Sequence, residues 1–145
     1  MFANNKTLSY PLIIIGVVMI ICGFRWLIHP NPWMLDEVAN VERLGITFDE
    51  LFAPEINTTL PNYLRQIYRF FGFWVLIIGL FISILSQHII KTNIGLPFLS
   101  IVGFMMSFGM YLGYTFIPSS HFIQLMWVLI LCYMLSLYSF FKLKK

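Results

Sequence analysis

The chain has 145 residues, of which 59% are hydrophobic, 18% aromatic and only 10% charged, with a mean hydropathy of +0.83. Soluble domains carry about 25% charged residues, so this composition excludes a water-soluble globular domain. A formal net charge of +3, with nine basic residues scattered among six acids and a long apolar background, excludes nucleic-acid binding, which needs basic residues gathered on one face.

Four stretches are long and apolar enough to cross a bilayer, which takes about 20 residues of helix. They lie at 8–28, 70–90, 94–117 and 121–141, joined between the first two by a loop at 29–63. The expected fold is all-α: a single integral membrane domain over 1–145, a four-helix transmembrane bundle with a short helical extracytoplasmic cap between helices one and two. The first stretch follows Lys6 as a secretory signal would. No small-x-small cleavage site follows it before Phe24, Arg25 and Trp26, and bulky Ile21 precedes Cys22 where lipoprotein processing wants a small residue. It reads as an uncleaved signal anchor.

The loop begins with His29-Pro30-Asn31-Pro32-Trp33, a stiff exit because each proline fixes φ and removes a donor. Residues 34–44 read as a short amphipathic helix with Met34, Val38 and Val41 on one face, stopped by Gly45. Thr47-Phe48-Asp49-Glu50 has the spacing of a capping box, with Ile46 and Leu51 placed as its staple. The helix it starts ends before Pro54. Thr58 or Thr59 caps the second spanning helix, with Leu60 and Pro61 in its first turn. Two readings of the loop stand side by side, a lid over a pocket and an ordered connector. The Asn57-Thr58-Thr59 sequon matters only in a eukaryotic secretory context.

The second span is preceded by Arg65 and Arg69, one helical turn apart. A helix from Leu60 onward is about 46 Å long, longer than the ~30 Å hydrocarbon core, so its first turns stand clear of the hydrocarbon. Arg65, Arg69, Gly72, Gly79, Ser83 and Ser86 recur as one stripe, and small residues on a membrane helix mark where a neighbour packs closely. Three fates are open to the arginines: pairing with loop acids such as Asp36, Glu37 and Glu42, snorkelling to headgroups, or binding an anionic ligand, with Arg25 able to join them. The other spans carry small residues too: Gly16 and Gly23 in the first, Gly103/Ser107 and Gly109/Gly113 in the third, and Cys132, Ser136 and Ser139 in the fourth. Cys22 and Cys132 read as buried free thiols.

All five lysines (Lys6, Lys91, Lys142, Lys144, Lys145) lie near the termini or in the turn after the second span, and all six acids lie in the first loop. The positive-inside rule then places both termini in the cytoplasm, in what reads as a bacterial cytoplasmic membrane. Trp26, Trp33, Trp74 and Trp127 fall in or near the outer half, as an interfacial belt would. His29 and His121 lie at the same outer boundary and, with Asp36 or Glu37, are candidates for a metal or acid–base cluster. His88 lies at the opposite face. No nucleotide loop, nucleophile elbow, haem attachment motif or HExxH is present, and no catalytic residue or cofactor is assigned.

Asn62-Tyr63-Leu64-Arg65-Gln66-Ile67-Tyr68-Arg69-Phe70-Phe71-Gly72 opens the second span after an outer loop containing proline and tryptophan. This arrangement resembles small bacterial four-helix membrane proteins of the DoxX-like and related families of unknown function. The resemblance maps Arg69 and Gly72 onto the arginine and glycine that recur there, and implies an inner-membrane protein without an established reaction.

The expected function is that of a non-enzymatic accessory subunit or a binder of lipid or a small ligand, with an arginine-containing site at the outer face. Its expected partners are the bilayer and an anionic lipid or a membrane protein. The alternative is a membrane-embedded enzyme acting on a lipid or anionic substrate at that face, with His29, His121 and an acid moving protons. The two differ in geometry. An enzyme brings the histidines and a carboxylate to a cavity. A packing protein saturates its arginines with loop acids and has no cavity.

Overall fold

A computed structural model describes residues 5–88 and 92–143. Lys91, Lys144 and Lys145, on which part of the topology expectation rests, lie outside the described residues. Four long helices are present: α1 (Asn5–Ile28), α4 (Leu60–His88), α5 (Gly95–Phe116) and α6 (His121–Leu143). Between α1 and α4 come a 3-10 turn at Pro32–Asp36, α2 (Glu37–Leu44), α3 (Phe48–Phe52) and a second 3-10 turn at Glu55–Asn57. The structure is 87% helical, with no strand among the described residues. The four long helices meet the length and hydropathy of membrane spans, and only 22–28% of each apolar window is buried inside the protein. The rest is the surface a bilayer would cover, as with Phe104, which is 67% exposed. The chain is a multi-pass membrane protein built as a four-helix bundle with a helical cap.

α1 and α4 are antiparallel and meet along a seam with a seven-residue period on both sides. Ser9 Oγ donates to Ser86 O at 3.0 Å. Gly16 lies against Gly79, and Gly23 against Gly72, so closely that a Cβ added at Gly23 would sit 2.5 Å from Gly72 O and one at Gly79 would sit 2.6 Å from Gly16 O. At the end of the series Arg65 Nε donates to Pro30 O at 2.8 Å. Positions 9, 16, 23 and 30 thus face 86, 79, 72 and 65. A heptad period keeps one face in register along a left-handed pair, and residues without bulk let the two backbones touch. Arg65 is the last rung of this seam.

α6 packs on the other side of α1, where Ser136 Oγ donates to Leu8 O at 2.9 Å. α5 packs chiefly on α6: the Tyr133 ring fills the space over Gly103, its hydroxyl donates to Leu99 O at 3.0 Å, and Trp127 Nε1 donates to Tyr114 Oη at 3.1 Å. Around the bundle the order is therefore α4, α1, α6, α5, and α5 is not closed against α4. The apolar core of Leu8, Leu12, Ile15, Leu99, Val102, Leu129 and Phe140 fills the half nearest the chain termini.

The cap forms as the loop residues dictate, with one reversal. Gly45 ends α2 in the left-handed conformation (φ 72°) and returns its N–H to Val41 O. Thr47 and Glu50 form the reciprocal capping box of α3. The Glu50 carboxylate lies below its ordinary pKa because the Thr47 backbone N–H, and then the Thr47 hydroxyl, donate to it. Trp33 is 4% exposed, under Phe48 and Phe52, so it is the core of the cap and not part of an interfacial belt. The reversal is in α2: it buries Ala39, while Val38 is 71% exposed. Asn40 Nδ2 donates to Trp33 O at 2.8 Å and fixes that rotation. The face of Met34 and Val38 is turned outward.

Candidate functional site

Two features stand out at the loop-bearing end and beneath it. The first is polar and centres on Asp36, at the end of the 3-10 turn. Ser120 Oγ donates to Asp36 Oδ2 at 2.6 Å, and His121 Nδ1 lies 3.1 Å from Asp36 Oδ1. Ser120 immediately precedes α6 and accepts the Phe122 N–H at 3.1 Å, the geometry of a helix N-cap. Asp36 is mostly buried, its side chain 11% exposed, whereas that of His121 is 54% exposed. Tyr68, from α4, places its phenol beside Asn40 and near the Asp36 carboxylate. The network ties α4, the cap and the start of α6 together.

The arginines do not join it. Arg65 spends its donors on Pro30 O and, at 3.4 Å, on Asn62 Oδ1. Arg69 and Arg25 are exposed. Arg43 stacks its guanidinium 5.7 Å from the Phe116 ring, beside Glu42 in a shallow crevice of about 170 Å³. Glu37 and Glu42 are exposed, and among the described residues Asp36–His121 is the only contact between a carboxylate and a basic side chain. So the arginines and the loop acids Asp36, Glu37 and Glu42, whose pairing is one of the three fates open to them, are not in contact. A short polar side chain and a histidine take Asp36 instead, and a backbone carbonyl takes Arg65. Sequence spacing contains no signal for either choice, because both are made across the fold.

His29 is held elsewhere as well. Its Nδ1 accepts the Asn31 N–H at 3.1 Å. Among the described residues no three His, Cys, Asp or Glu side chains come together as a metal would need.

The second feature is apolar. Because α5 stands away from α4, a cleft of about 430 Å³ opens between them, with α1 and α6 as its floor. Val75 and Ile78 line it from α4, Ile101 and Met105 from α5, Cys22 from α1 and Met126 from α6. It presents no polar atom to its interior. Four methionines contribute to its wall, Met19, Met105, Met106 and Met126, and this flexible side chain adapts to irregular occupants. Trp26, Phe71 and Phe122 close it towards the cap, with Trp26 centred 5.0 Å from Phe71 and 4.9 Å from Phe122. The Trp26 indole N–H in this roof is buried with no acceptor among the described residues, and an unmet buried donor costs about 1–3 kcal/mol. Arg69 lies two residues before Phe71, roughly 200° around the helix, and faces away from the cleft. No sequence pattern announced the cleft, since it arises from which helices fail to meet.

No family model matches the chain, and no curated protein or solved structure matches it either.

Proposed function

We propose that this is a non-enzymatic membrane protein that binds the hydrocarbon part of a lipid or a small apolar ligand in the cleft between α4 and α5. The observation that carries the reading is the cleft itself. Its volume of about 430 Å³ falls in the range of ligand sites, about 300–1,000 Å³. An occupant arriving laterally from the bilayer would meet only carbon and sulfur. The absence of any titratable side chain except Cys22 from the wall argues against chemistry there, and His29, His121 and Asp36 do not line it. Arg25 and Arg69, exposed at the same end, are then headgroup contacts of the surrounding bilayer, anionic lipid included.

The protein sits in this proposal in a bacterial cytoplasmic membrane with both termini inside and the cap outside, the orientation the lysine distribution favours. The DoxX-like resemblance belongs to the same proposal, with Gly72 as a seam glycine and Arg69 as an exposed interfacial residue.

The test is photo-crosslinking in vesicles containing phosphatidylcholine with a diazirine in one acyl chain, followed by peptide mapping. Crosslinks should concentrate on Cys22, Met105 and Met126 over lipid-facing Phe73 and Phe81. Ile78→Trp with Ile101→Trp, both at the exposed mouth, should abolish that enrichment and leave the bundle folded. Labelling spread evenly over the lipid-facing surface would refute the reading.

A further inference from the structure

The contact between Asp36 and His121 has a chemical consequence that the cleft does not use. A carboxylate oxygen at 3.1 Å from Nδ1 can only accept, so Nδ1 of the neutral imidazole carries the proton and Nε2 carries a free lone pair. The carboxylate is itself fixed. Ser120 accepts the Phe122 N–H, which turns its own proton onto Asp36 Oδ2 at 2.6 Å. The imidazole is fixed a second way by the Phe122 ring, whose centroid is 4.2 Å from its own. His29 has the opposite arrangement at the same end of the bundle. Its Nδ1 accepts a backbone N–H, so its Nε2 carries the proton. Of these two histidines only His121 offers an oriented acceptor.

The place of that acceptor selects what it meets. His121 is the first residue of α6, a membrane-spanning helix, its side chain is 54% exposed, and no residue among those described occupies Nε2. The level at which a spanning helix begins is the headgroup region. We propose that His121 Nε2, oriented by Asp36 and Ser120, is an acceptor site for a lipid headgroup that donates a hydrogen bond, either an ammonium such as that of ethanolamine or a free hydroxyl such as that of a diacylglycerol. Phosphatidylcholine, which has no such donor, is not bound there. This site lies outside the wall of the apolar cleft, so it stands or falls separately from the cleft reading.

The test is nitrogen NMR of the full chain labelled with ¹⁵N-histidine, at alkaline pH so that the imidazoles are neutral, with the pair of ring signals from each of the three histidines assigned by single His→Gln variants. In vesicles of phosphatidylcholine alone, His121 should be the Nδ1–H tautomer and His29 the Nε2–H tautomer. Adding phosphatidylethanolamine or diacylglycerol should move the His121 Nε2 resonance upfield, as acceptance of a hydrogen bond does, and leave His29 in place. Movement with the first lipid alone identifies an ammonium donor, and with the second alone a hydroxyl. Asp36→Asn should mix the tautomers of His121 and remove the lipid response. A His121 Nε2 signal that is unchanged by both lipids, or a His121 already protonated on Nε2 in phosphatidylcholine, would overturn the proposal. The wild-type spectra are sufficient to decide between these outcomes, even if Asp36→Asn fails to fold.

Discussion

Adding one methyl group to the seam between α1 and α4 should separate the helices, and the size of the effect follows from where the methyl must go. In Gly23→Ala the new Cβ would stand 2.5 Å from Gly72 O and 2.6 Å from Leu76 N. Both obstacles are backbone atoms of a helix and cannot rotate aside. Ordinary contact begins at 3.4 Å, so the helices must part by about 0.9 Å there. Overpacking of this kind costs about 1–3 kcal/mol, and interhelical hydrogen bonds within a membrane contribute about 0.6 kcal/mol each, some of which the separation would strain. In a membrane the helices persist when the bundle comes apart, so the usual gain in helix propensity from glycine to alanine largely cancels. The expected loss is about 2 kcal/mol. Gly72→Ala should behave alike, since its Cβ would meet Gly23 O and Trp26 Cβ at 2.7 Å. The double variant should be subadditive, because the first separation makes room for the second methyl. Gly113→Ala is the control: its Cβ would meet only Ile123 side-chain atoms at 3.5 and 3.9 Å, and stability should stay within about 0.5 kcal/mol. Reversible unfolding in mixed detergent micelles, followed by tryptophan fluorescence, measures all four. Equal effects of Gly23→Ala and Gly113→Ala would refute the seam as described.

Further outcomes follow from the same contacts. Arg65→Ala should destabilise the bundle by about 1–2 kcal/mol through loss of a charged donor to Pro30 O, while Arg69→Ala should stay within about 0.5 kcal/mol; the same unfolding assay compares them. Asp36→Ala leaves Ser120 and His121 without their shared acceptor, and hydrogen exchange should accelerate across α2 and the first turn of α6 but not across the seam. The Glu50 carboxylate, held below its ordinary value of 4.5 by Thr47, stabilises α3 when ionised. That contribution is fully present above about pH 4.5 and is lost as pH falls below it through the lowered value. Exchange at the Thr47 and Glu50 amides, corrected for intrinsic pH dependence, should rise in that window, and in Glu50→Gln the dependence should disappear.

Much of the architecture was legible in the sequence because it depends on local chemistry. Span positions follow from hydropathy, and the observed α5 and α6 start and end within two residues of the stretches read at 94–117 and 121–141. The Thr47–Glu50 box and the Gly45 stop are interactions between near neighbours, and both are formed. What was not legible depends on pairings between distant residues. The glycines of α1 and of α4 each advertise a close neighbour, but nothing in either helix says that it is the other. Gly103 advertises one too and is filled by the ring of Tyr133. α2 shows a related limit: its periodicity puts Met34, Val38 and Val41 on one apolar face, but a neighbour of the membrane has two apolar surroundings to choose from, protein and lipid, and Val38 is exposed. Arg65 and Asp36 take partners, Pro30 O and Ser120 with His121, that lie 35 and 84 or 85 positions away.

The order α4, α1, α6, α5 bears on movement. α4 is locked to α1 by backbone contact along the length of the seam, but α5 is attached chiefly through one neighbour, α6. The width of the cleft is therefore set by a single interface, whose hydrogen bonds are Tyr133 to Leu99 and Trp127 to Tyr114. A guest that wedges α5 outward works against those side chains and leaves the α1–α4 pair undisturbed. The bundle has a rigid half and a compliant half, and the boundary between them runs through the floor of the cleft.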